Sequence, residues 1–145
     1  MLLILLTTEP INHEQIVASV ECPEAGAIAT FDGVVRNNAR GKMVTHLFYE
    51  AYDGMALKEM ESIAESILQG QSILRLALVH RIGKLEIGES SIFIAVSSGH
   101  RAEAFQACRT AIDQVKARVP IWKKEYYVDG EIWVDNYHQC SVESD

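Results

Sequence analysis

Two stretches of helical period constrain this chain most, because nearly every other apolar run in it is strand-like. Between Met55 and Gln69 the apolar residues Ala56, Met60, Ile63, Ala64, Ile67 and Leu68 recur at helical spacing, while Lys58, Glu59, Glu61, Glu65 and Gln69 fall outside the stripe. Gly70 follows, where a helix commonly ends. A second stripe begins near His100 and runs through Ala104, Phe105, Cys108, Ala111, Ile112, Val115 and Val119, predicting that these seven are buried. Pro120 stops it, because proline has no amide donor and restrains the residue before it.

The remaining apolar segments predict strands at Leu2 to Thr7, Gly26 to Arg36, Met43 to Tyr52, "ILRLALVHRIG", "SSIFIAVSS", "IWKKEYYV" and "EIWVD". A short helix over His13 to Val20 fits between them, with Asn12 as its cap. The loop "NNARGK" predicts a long hairpin between Gly26–Arg36 and Met43–Tyr52, and the Asp129-Gly130 turn a last one. Trp122 and Trp133 are expected in the core of that last hairpin. The sum is α+β: a mostly antiparallel sheet, two main helices and an added β-hairpin. At 145 residues, 48% of them hydrophobic, with no repeat or linker, residues 1–145 read as one domain with an acidic tail from about 135.

Charge is unevenly placed. The chain carries a formal −7, yet six of its 13 Lys and Arg lie between His100 and Glu125. A net negative chain is a poor general binder of nucleic acid or membrane surface, so the partner of this basic patch is expected to be a small anion. Cys22, Cys108 and Cys140 are scattered and form no CxxC pair, which fits a reducing, cytoplasmic setting and argues against disulfides or structural zinc. The opening "MLLILLTTEP" is too short to span a bilayer. His46, His80 and His138 show no ligand spacing, so neither a metal nor a cofactor is expected. Ser97 and Ser98 lack a nucleophile elbow, and no glycine motif cradles phosphate.

In "SSGHR", His100 and Arg101 stand at a helix entrance, where free amides favour an anion but two cations oppose the helix dipole; a bound anion would offset that cost. Arg109, Asp113 and Lys116 share a face, which is commonly a solvated ion-pair ladder worth little. After Pro120, however, strand alternation places Lys123 and Glu125 on one face and Trp122, Lys124 and Tyr126 on the other. Lys116 and Lys123 could then converge on one pocket, with Glu125 holding an amine in place, and a lysine so placed can move protons or attack a carbonyl. Arg36 ends a strand beside the Gly/Asn loop and could close over a ligand. These residues describe a small-anion site without naming its ligand.

The segments "FDGVVRNN", "LFYEAYDGMALKEM", "VHRIGKLEIGE", "SSGHRAEAFQACRTAIDQVKARVPIWKKE" and "DGEIWV", in this order, resemble the large, catalytic subunit family of molybdopterin synthase over roughly Gly26 to Val134. The resemblance implies an α/β hammerhead fold with an added β-rich subdomain. It implies a sulfurtransferase that adds two sulfurs to cyclic pyranopterin monophosphate to make molybdopterin, in molybdenum cofactor biosynthesis. The sulfur would arrive on a small ubiquitin-like carrier as a C-terminal Gly-Gly thiocarboxylate, in a heterotetramer built on a central homodimer. Lys116 and Lys123 match the family's catalytic lysines. His100 and Arg101 match its anion-binding pair, Val34, Val35 and Arg36 its substrate-contacting strand end, and Lys124 and Glu125 complete the binding strand. The tail after Trp133 departs from the family, for it has no Lys or Arg where other members are basic. Two other readings stand beside this one. In a non-catalytic module, Arg36, His100 and Arg101 would suffice for a phosphorylated metabolite; a phosphate-ester hydrolase would need metal ligands or an activated nucleophile that the sequence lacks.

Overall fold

The computed structural model describes residues 2–135, so most of the acidic tail, with His138 and Cys140, lies outside the described residues. One sheet has the spatial order β1 (Leu2–Thr7), β5 (Arg75–Arg81), β7 (Ser90–Ser98) and β2 (Ala27–Val34). β1 and β5 are parallel and the other pairs antiparallel. β7 is buried along its whole length, as befits a strand covered on both faces.

The short helix α1 (His13–Val20) lies on one face and sets Ile16 and Val20 against Ala77, Val79, Phe93 and Ala95. Its cap is the one expected: the Asn12 side chain accepts the Gln15 amide at 3.1 Å. The two long helices, α2 (Asp53–Gly70) and α3 (Arg101–Arg118), cover the other face. There Met60, Ile63, Ala111 and Val115 pack on Leu76, Leu78, Ile94 and Val96. Each large side chain so buried contributes about 2 kcal/mol by leaving water.

The second sheet is antiparallel and centred on β4 (Lys42–Ala51). β4 pairs with β8 (Ile121–Tyr127), with β6 (Gly83–Glu86) and with the two-residue β3 (Asn38–Ala39), and β9 (Ile132–Asp135) lies along β8. Val35, Val44, Leu47, Leu85 and Tyr127 form its own small core. The architecture is α+β, mostly antiparallel, with two main helices and the β8–β9 hairpin as an added piece.

Three expectations fail locally. The long hairpin does not form: β2 pairs with β7, while β4 pairs with β8. β7 is apolar on both faces and takes a neighbour on each edge, so the chain changes sheets after Val34 and only β3 doubles back on β4. Phe105 is 67% exposed, and Ala107 takes the buried place instead. Adjacent helical residues point about 100° apart, and the buried arc of α3 is centred on its alanines, which leaves Phe105 just outside it. Trp133 is 42% exposed rather than hairpin core, because β9 is the outer strand of its sheet.

Candidate functional site

The two sheets meet around a cavity of about 440 Å³. The last turn of α3 contributes Lys116, and β8 contributes Lys123 and Glu125 from the face that alternation predicts. Arg36 enters from the segment after β2, Arg40 from the β3–β4 turn, Tyr49 from β4, His80 from β5 and Asp135 from β9. Strand register gathers several of these, for Lys123 lies opposite Tyr49 on one side and Asp135 on the other. Pro120 makes the change from helix to strand, and its carbonyl accepts the Tyr52 amide at 3.2 Å, anchoring the start of β8 beside that of α2.

The wall holds four cationic side chains and two carboxylates. Glu125, with a side chain only 5% exposed, accepts the Tyr127 hydroxyl at 2.6 Å and lies 3.5 Å from Arg40 Nε and 3.6 Å from Lys123 Nζ. A carboxylate this deeply buried needs such partners. Asp135 accepts Arg40 at 2.8 Å and also the Trp133 indole N–H. Burial, then the hydrogen bond to Glu125, pushes the Tyr127 hydroxyl up to about 12.

Among the described residues, His80 is the one buried imidazole. Burial pulls it down to about 4, its bond to the Arg81 carbonyl opposes that, and the charge of Lys116 pulls it down further. The carbonyl lies 2.8 Å from Nδ1, so Nδ1 carries the proton and Nε2 is left as an acceptor. The Tyr49 ring meets the imidazole edge-on at 5.3 Å. Such a wall can hold a small polyanion on Arg36, Lys116 and Lys123, with a neutral base nearby.

Of the residues singled out by sequence, Arg36, Lys116, Lys123 and Glu125 share this cavity. Val34 and Val35 line an adjoining recess of about 50 Å³ that shares Arg36, Lys116 and Lys123. Lys124 turns to the other face of β8 and pairs with Glu50 at 2.9 Å. His100 and Arg101 are exposed at the far end of α3, roughly 22 Å from Lys116 along the helix axis. One chain therefore does not bring that pair to the lysines.

The profile of the MoaE protein family matches residues 6–118. The chain belongs to the MoaE family. It is 51% identical over 112 residues to the molybdopterin synthase catalytic subunit of Oryza sativa subsp. indica, a match covering 77% of this chain and 58% of that protein. It thus spans little more than half of the rice protein's length. Against the subunit of the same name from Pyrococcus abyssi it is 46% identical over 134 residues, 92% of this chain and 90% of that one. The crystal structure of molybdopterin synthase from Staphylococcus aureus superposes with a TM-score of 0.85 at 38% identity, covering 91% of this chain and 96% of that one.

The span matched by the MoaE profile holds Arg36, Arg40, His80 and Lys116, and ends before the strand with Lys123 and Glu125. Five polar cavity residues of this MoaE chain were not singled out as site residues by the sequence: Arg40, Tyr49, His80, Ser91 and Asp135. His80 carried a signal, as a polar residue inside the apolar run "LALVHRIG". Arg40 carried a weaker one, standing beside Gly41 in a tight turn. Tyr49 and Asp135 carried none, since both reach the cavity only through pairing with β8.

Proposed function

We propose that this MoaE-family chain is the catalytic subunit of a cytoplasmic molybdopterin synthase, transferring two sulfurs from a thiocarboxylated small carrier protein to cyclic pyranopterin monophosphate. The convergence of Lys116 and Lys123 with Arg36 in one cavity carries the reading, together with the names borne by relatives about half identical in sequence. Arg36 and the lysines would take the phosphate and the charge that develops on the pterin, the general use of preorganised cations. Lys116 would meet the carrier's terminal carbonyl and exchange the proton there, with the Nε2 lone pair of His80 nearby as a neutral acceptor. Lys123 would orient the pterin and stabilise negative charge, with Glu125 beside its amine. No cofactor is called for. His100 and Arg101 would serve an anion site only where a second copy presents them, which agrees with a central homodimer in a heterotetramer that carries a carrier subunit at each end.

The deciding experiment mixes purified chain, thiocarboxylated carrier and cyclic pyranopterin monophosphate, and follows molybdopterin formation. The native chain should form product. Lys116→Ala should lose at least a hundredfold in rate, the scale of a lost proton-transfer group, with an unchanged melting curve. Substrate binding without product from the native chain would instead establish a binding module.

A further inference from the structure

We infer that Arg40 is a positioning residue, which acts through the buried carboxylate of Glu125 to set the place of the Lys123 amine. The inference deepens the sulfurtransferase reading and rests on it for its kinetic readout alone.

Arg40 stands where backbone preference resists it. Its φ is 54° and that of Gly41 is 74°, the left-handed pair of a two-residue hairpin turn, in which Asn or Gly is the favoured first residue. A long cation at such a tip would ordinarily lie in solvent. Here the side chain turns inward and is only 28% exposed. Its guanidinium lies 4.1 Å over the Trp133 ring, reaches Asp135 at 2.8 Å and Glu125 at 3.5 Å, and donates to the Tyr127 hydroxyl. A planar fork with five donors can serve two carboxylates and a hydroxyl in one fixed geometry, whereas an ammonium is a compact point charge with three donors.

The two oxygens of Glu125 are divided. Oε1 takes Arg40 and Tyr127, while Oε2 faces Lys123 Nζ at 3.6 Å, an ion-pair distance longer than a hydrogen bond. With Arg40 in place, Glu125 is neutralised from the side away from the amine, so Lys123 keeps the longer separation and its ammonium stays toward the cavity. Without Arg40, the carboxylates of Glu125 and Asp135 would face one cation fewer, and Lys123 would close on Glu125 and hold its proton to higher pH. The other groups around it do not reverse that sign. Arg36 stays charged, Tyr127 is held up to about 12 and His80 is neutral above about 4, while Lys116 and Tyr49 are common to native chain and variant.

A plain clasp between turns is the competing explanation, and the molecule supplies its control. Lys42 ties the same β3–β4 turn to the β8–β9 turn through Asp129 at 3.1 Å and through Glu131, but does not line the cavity. The test compares Arg40→Met, Arg40→Lys and Lys42→Met in the sulfur-transfer assay with the carrier subunit present. Arg40→Met should lower kcat about tenfold and move the alkaline decline of the pH–rate profile upward. Arg40→Lys should recover part of both, and it remains informative if Arg40→Met does not fold. Lys42→Met should lower the melting temperature and leave the pH profile in place. The same shift should appear without substrate, in NMR titration of ε-labelled lysines, with the Lys123 signal assigned by Lys123→Arg. An Arg40→Met variant with native kcat, pH profile and lysine titration overturns the inference, as does a Lys42→Met variant that reproduces the shift. Should the native chain make no product, the sulfurtransferase reading falls, while the lysine titration still decides the role of Arg40.

Discussion

His80 is neutral in the fold and costs stability in acid. Its folded value of about 4 lies below the ordinary 6.5 of an exposed imidazole. Above pH 6.5 both folded and unfolded chains are neutral there, and the residue adds no pH dependence. Between 6.5 and about 4 the unfolded chain takes up the proton first, so stability falls by about 3 kcal/mol and then levels off. Urea unfolding across that window should show this loss, and His80→Gln should flatten it; an unchanged slope would mean that the imidazole is charged in the folded chain. At this scale the sequence was a partial guide. Lys116, Lys123, Arg36 and Glu125 were legible because proline, alternation and charge are local signals, whereas the partners that fix them come from strands far away in the chain.

Among the elements, the helices and most strands were readable from period alone. Pairing was not, since the burial pattern of β2 suits a neighbour in either sheet, and the choice depends on β7 needing a second edge partner. The junction between β2 and the entrance of α3 is unusually close. Gly26 donates to the Ser98 carbonyl at 3.0 Å, and a Cβ placed on Gly26 would lie 2.3 Å from the Gly99 carbonyl oxygen. Backbone must give way there, so Gly26→Ala should destabilise by about 1–3 kcal/mol, measured as a lower denaturant midpoint with an unchanged m-value. A neutral result would show that the β7–α3 turn has room to move. The shift would carry His100 and Arg101 with it, because they follow Gly99 directly.

For the whole molecule, the separation of the His100–Arg101 pair from the lysines makes assembly part of the proposed chemistry. Phe105 lies one turn beyond Arg101 on an exposed face of α3, and is the apolar group there that a second copy would cover. In the proposed homodimer, Phe105→Ser should shift the chain from dimer to monomer in sedimentation velocity at micromolar concentration. A native chain that sediments as a monomer, or a variant that stays dimeric, would place the contact elsewhere. The helix-to-strand step at Pro120 has a consequence of another kind, for what changes the chain can tolerate. Lys116 and Lys123 belong to one uninterrupted segment, so their spacing survives any lengthening of the loops that join the two sheets. The same segment is intolerant of a frame slip. Losing a single residue between Val119 and Lys123 would reverse the alternation of β8, pointing Lys124 and Tyr126 into the cavity and turning Lys123 and Glu125 out to solvent.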